Sequence, residues 1–201
     1  MTFFVNTLMQ GCDAVDLVLR ERRVFFGYPP LRYDIELRRG HLRKAVVDLM
    51  CPDEEWKAYY AKYRHYDAVN QLRNLVRKIG CGDVALVPRP GDGVVHVGIV
   101  VRPFELVDDP PWGDDYLRMR ADQGHAVEDC EDEMEYILDV AQCCTVDAFR
   151  TIPIGRIPEW ISRQLQRQAS FGRIYGQPRW GLAPHPALID LIAGQHGAES
   201  R

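Results

Sequence analysis

The densest run of groups able to do chemistry lies between Tyr59 and Tyr66, which reads YYAKYRHY. Tyr59, Tyr60, Tyr63 and Tyr66 are interleaved there with Lys62, Arg64 and His65. Aromatic faces beside cations stack flat bases, at about 1–3 kcal/mol per base. Tyrosines at i, i+3 and i+4 equally suit the inner face of a helix, and the spacing alone leaves both readings open. Two more stacking faces stand near turns. Tyr28 closes the apolar run RVFFGY, and Trp112 follows Pro110-Pro111 in an expected loop.

Other chemistries fit less well. The stretch GDVALVPRPGDGVVHVGIVV holds Gly91, Gly93 and Gly98 in a G-x-G-x-x-x-x-G spacing beside Arg89. A phosphate-cradling loop follows a strand and opens a helix, so that backbone N–H groups and the helix dipole converge on the anion. These glycines lead into a second strand pattern, and no G-K-[ST] follows. The stretch therefore reads as a β-hairpin with its turn at Pro90 to Gly93. PDEEWK places Pro52-Asp53 and Glu55-Trp56-Lys57 side by side in one helix start, so they cannot form the two edges of a nuclease metal site. No serine or cysteine stands in a nucleophile-elbow setting. His96 alternates with valines and reads as structural, and the many carboxylate pairs read as a solvated face. His125, Cys130, Cys143 and Cys144 match no standard zinc spacing. No cofactor and no metal are expected.

Charge is unevenly placed. From Pro103 to Val140 there are 13 acidic and 2 basic residues; the rest of the chain holds 16 acidic against 23 basic, a net of +7. Six arginines and a single glutamate lie between Arg150 and Trp180. A basic body suits a polyanion, because lysine and arginine release counterions from phosphates. The acidic stretch reads as a mobile loop or as a cover over the basic face. Six scattered cysteines with no C-x-x-C pair point to a reducing compartment, the cytoplasm. No apolar run approaches the ~20 residues of a membrane helix, and MTFFVNTLMQGCD lacks the features of a signal peptide.

The elements that must position these groups follow from periodicity. Strands are expected at FFVN, RVFFGY, DVALVP, VVHVGIVV, EMEYILDV, FRTIPIGRI and FGRIYG. Helices are expected at CDAVDLVLRERR with Asp13 as N-cap, at LRRGHLRKAVVDLM, after Pro52, and at HYDAVNQLRNLVRKIG. Two more follow at PEWISRQLQRQ, with Trp160, Ile161 and Leu165 inward, and at HPALIDLIAG. Short strands around a long hairpin predict an α+β fold, a small mixed β-barrel with helices packed around it. One domain is expected over residues 1–180, with an acidic insertion at about 103–140 and a C-terminal helix and tail at 181–201.

The order of these parts resembles the amino-terminal EVE-like domain of some Mrr-type and McrB-type restriction proteins, within the PUA-like superfamily that also holds the YTH and ASCH domains. In EVE domains the hairpin follows a helix carrying an asparagine-tyrosine-glutamine-alanine-arginine-asparagine motif and then GD. HYDAVN, His65 to Asn70, stands in that place here, and Gly82-Asp83 supplies the GD. The family tryptophan five residues before the motif falls on Tyr60, and the GW that ends the first strand in restriction-associated relatives falls on Gly27-Tyr28. Tyrosine thus replaces tryptophan twice, and histidine replaces the first asparagine.

The resemblance implies a non-enzymatic reader that accepts a modified or flipped base in an aromatic pocket, in defence against foreign DNA. Its ligand-binding residues would be Tyr28, Tyr60, Arg64, His65, Tyr66, Asn70, Arg89 and Trp112. Arg73, Arg163 and Arg167 would hold phosphates. The expected partner is nucleic acid, DNA in particular, or a free nucleotide. A protein partner on the acidic segment is the remaining alternative, and no membrane partner is expected.

Overall fold

The computed structural model describes residues 1–9, 11–27, 74–107, 109–125, 137, 139–166 and 171–196. The expected helices between residues 37 and 73 lie outside the described residues; of HYDAVNQLRNLVRKIG, only 74–76 are seen as helix.

The chain begins with β1 (Thr2–Val5), a tight pair of β2 (Leu8–Met9) and β3 (Cys12–Asp13), then α1 (Val15–Glu21) and β4 (Arg23–Phe25). The hairpin is β5 (Val84–Arg89) and β6 (Val94–Leu106). After it come α2 (Gly113–Asp122), β7 (Gln142–Val146), β8 (Arg150–Pro153), α3 (Glu159–Leu165), β9 (Phe171–Arg173) and α4 (Pro184–His196). The seven-stranded sheet runs β4-β7-β6-β5-β1-β9, with β8 also on β6. Among the described strands only β1 and β5 run parallel, Thr2 opposite Val84. Among the described residues the sheet is open; the closed barrel expected from the sequence is not formed by these strands.

The hairpin register runs from Val84 opposite Ile99 to Arg89 opposite Val94. Its turn is a 3-10 turn, Pro90–Asp92, closed by Gly93 at φ 68°, a conformation glycine takes without strain. Because β6 is twice the length of its partner, its other edge serves two strands. Val94–Val97 pair with β8, and Val100–Leu106 pair with β7 across register shifts. Asp147 makes the corner between them. Its N–H donates to the Ile99 carbonyl, and its Oδ1 accepts the Ile99 N–H at 3.0 Å.

The middle of the sheet is buried on both faces, so its strands read as unbroken apolar runs. Side chains alternate across it. Ala85 and Val87 join Phe3, Val5, Leu17, Val18, Leu75, Val76 and Tyr116 in one core. Val84 and Leu86 join Phe4, Val95, Val97, Ile161, Leu165, Leu188 and Ile192 in the other. Helices α1 and α2 thus serve the first face, and α3 and α4 the second. Leu188 and Ile192 tie the expected C-terminal appendage into the core.

Three expectations change. Asp13 does not cap α1: Ala14 holds that position, and Asp13 Oδ1 accepts the Val15 N–H at 3.2 Å one residue ahead. Residues 137, 139 and 140, expected in a strand, are helical. The acidic segment is not simply a solvated loop. It contains α2, and Trp112 and Tyr116 enter the first core. Among the described residues its acids pair elsewhere than with the arginines of 150–180: Asp115 with Arg20 and Arg118, and Glu105 with Arg23.

Candidate functional site

Among the residues singled out from sequence, Tyr28, Tyr60, Arg64, His65, Tyr66, Asn70, Arg73 and Arg167 lie outside the described residues. Arg89, Trp112 and Arg163 are described, and they sit in three different surroundings.

Arg89 ends β5 and ties the hairpin to β3. Its Nε donates to Asp92 at 2.8 Å, and it also pairs with Asp13. Burial works against the ionised form of Asp13. Hydrogen bonds from Thr7 and Arg89, the Arg89 charge and the Val15 N–H outweigh that cost, so the carboxyl titrates below the usual range. Nearby His96 Nδ1 lies 3.0 Å from Thr151 Oγ1. Burial and the Arg89 charge push the imidazole below its ordinary value, against Asp92.

Trp112 is core rather than a loop-borne face. It is 4% exposed, its Nε1–H donates to the Val140 carbonyl at 2.9 Å, and the Arg23 guanidinium lies 4.2 Å from its ring centre. Arg23 also donates to Glu105 at 2.7 Å and to Cys143 Sγ at 3.2 Å. Burial still raises the Cys143 thiol to about 11, so it stays protonated. Burial raises the Cys144 thiol too. Among the described residues no group of three or more His, Cys, Asp or Glu is placed to hold a metal.

Arg163 lies on a cleft. Pro158 precedes α3, whose Ile161 and Leu165 point into the second core. The helix therefore turns Glu159, Trp160, Arg163 and Gln164 toward the chain after β9. There Ile174 is buried, and Tyr175, Gly176 and Gln177 complete a cleft of about 530 Å³. The Gln164 amide fastens its two walls. Nε2 donates to the Tyr175 carbonyl at 3.0 Å, and Oε1 accepts the Tyr175 N–H at 2.9 Å. Side chain thus replaces a missing strand partner for Tyr175.

Beyond the cleft the backbone closes on itself. The Gln177 N–H donates to the Leu182 carbonyl at 2.9 Å, and the Leu182 N–H returns to Gln177 at 3.2 Å. Between them runs a 3-10 turn, Pro178–Trp180, ended by Gly181 at φ 64°. Gly176 is required at the entry, because a Cβ there would meet the Leu182 carbonyl oxygen at 2.6 Å. Trp180 is 76% exposed on this loop and Tyr175 58% exposed beside it. The Arg173 guanidinium lies 5.4 Å from the Tyr175 ring centre, within cation–π range.

Sequence reasoning named Arg163 here and missed its neighbours. Trp160, expected to face inward, packs half-buried against the second core and also lines the cleft. Tyr175 and Trp180 were not singled out. Their signal is GRIYGQPRW, Gly172 to Trp180, where aromatics alternate with arginines through a Gly/Pro loop. Trp112 and Arg163 fall on opposite faces of the sheet, so they do not form one pocket.

No family model matches the chain, and no curated protein or solved structure matches it significantly. Among the described residues no helix is long and apolar enough to cross a membrane.

Proposed function

We propose that this chain is a non-enzymatic recognition module for nucleic acid, DNA in particular, built on a PUA-like frame of the EVE-like type. The observation that carries the reading is the cleft where Trp160 and Tyr175 stand beside Arg163, with Arg173 on the Tyr175 ring. Ring faces give sequence-tolerant stacking, and guanidinium groups give phosphate contact. The surface lies in the arginine-rich part of the chain rather than in the acidic segment. A modified or flipped base would be read by Tyr28, Tyr60, Tyr66, His65 and Asn70, with Arg64 and Arg73 on its flanking phosphates. Defence against foreign DNA is the role this suits.

A free nucleotide is the rival ligand, because 530 Å³ is the size of a small-molecule site. Fluorescence anisotropy against plain and modified DNA, RNA and free nucleotides tests both. Strand binding weakens as salt rises, with log K falling by about 0.7–0.9 per phosphate neutralised for each unit of log[salt]; a buried mononucleotide responds much less. Binding to no member of the panel overturns the proposal. Binding to modified DNA that is identical in Tyr60→Ala removes the base pocket from it.

A further inference from the structure

We infer that the cleft and the Trp180 loop together hold an unpaired strand across successive nucleotides, rather than a lone nucleotide or a duplex. The inference rests on the nucleic-acid reading above and names the substrate class of that surface.

A tryptophan buries a large apolar area when it packs, so leaving Trp180 76% exposed forgoes that gain. The loop that carries it is nonetheless fixed. Besides the paired bonds between Gln177 and Leu182, the Trp180 N–H donates to the Gln177 carbonyl at 2.9 Å, and the Gly181 N–H to Pro178 at 3.1 Å. A ring carried on a fixed backbone loses only its own side-chain freedom when it meets a flat partner.

Gln177 is both a wall of the cleft and the foot of the Trp180 loop. One ring face, Tyr175, therefore lies in the cleft, and the next, Trp180, lies one turn of loop beyond it. Arg163 and Arg173 flank the first, and Arg179 adjoins the second. Alternating rings and cations match the alternation of bases and phosphates along a strand. A mononucleotide in the cleft leaves Trp180 unused. A duplex offers neither ring a base face, because its bases are stacked on one another.

Glu159 also lines the cleft and holds Arg163 at 2.5 Å. Both side chains are more than 70% exposed, and such pairs are weak. A strand phosphate displaces Glu159 from Arg163, so the acid opposes binding without preventing it.

The test is titration of the full chain with a labelled oligothymidylate of ~12 nucleotides, with the same strand in a duplex, and with thymidine monophosphate. Expected for Trp180→Ala is a loss of about 5- to 100-fold in strand affinity. Thymidine monophosphate binding and the thermal melt should be unchanged, because the ring is exposed. Trp180→Phe should recover most of the loss, and Glu159→Gln should tighten strand binding. Parental affinity for the strand in Trp180→Ala, or equal affinity of the parental protein for strand and duplex, overturns this inference while leaving nucleic-acid recognition standing. Failure of the parental protein to bind any nucleic acid overturns both.

Discussion

At the scale of single residues, the polar groups around the hairpin are tied down rather than offered to a ligand. Arg89 links Asp13 and Asp92, and His96 sits under it against Thr151. This has a consequence for pH. Burial, then Arg89, lowers the native His96 value, so the unfolded chain takes up this proton before the native protein does. The stability contribution is complete above the ordinary value of 6.5 and is lost as pH falls toward the lower native one. The urea midpoint should therefore drop between about pH 7 and about pH 5, and His96→Gln should flatten that drop. An equal slope in the variant would show that His96 does not titrate across folding. Asp13 acts in the same direction at lower pH, its depressed carboxyl losing its contribution as pH falls through its native value.

At the scale of elements, the long strand β6 decides the arrangement. One strand serves β5 along one edge and divides the other between β8 and β7. The division falls at Gly98 and Ile99, where Asp147 turns the chain. Gly98 allows the close approach. A Cβ there would meet Val146 Cβ and Cγ2 at 2.9 Å. Valine is β-branched and fixed in its rotamer by the strand, so the ring of contacts cannot yield cheaply. Gly98→Ala should cost about 1–3 kcal/mol, read as a lower denaturant midpoint with unchanged slope. A neutral result would mean that the β6–β7 spacing relaxes. The strands β1, β5, β6, β8 and β9 were legible from their apolar runs, and α3 and α4 from helical spacing. The pairs β2 and β3 were too short to leave a periodic signal, and β7 was hidden in AQCCTVD, which carries few strand formers.

At the scale of the whole molecule, the acidic segment is half structural. On α2, Asp114 and Asp122 are exposed and Asp115 is half-buried, while Trp112, Tyr116 and Arg120 are buried beneath. Deleting residues 105–135 should therefore abolish the cooperative thermal transition rather than trim an appendage. Trp112→Ala alone should cost about 3–5 kcal/mol by circular-dichroism melting. A deletion protein that melts at the parental temperature would make the segment dispensable. Partner capture through its acids is better probed by neutralising Asp114 and Asp122, which leaves the core intact.

The sequence by itself determined the α+β class, the central hairpin with its glycine turn, and the separation of acidic from basic stretches, because each is written in local pattern: period, turn chemistry and charge count. Only the tertiary structure decided that the sheet is open among the described strands. It also decided that Trp112 packs under Arg23 while Trp160, Tyr175 and Trp180 line or flank a cleft. The physical reason is that an aromatic ring has the same sequence signature inside and outside. Whether it is buried depends on which face of which element meets a neighbour, and that is settled by contacts between residues far apart in the chain.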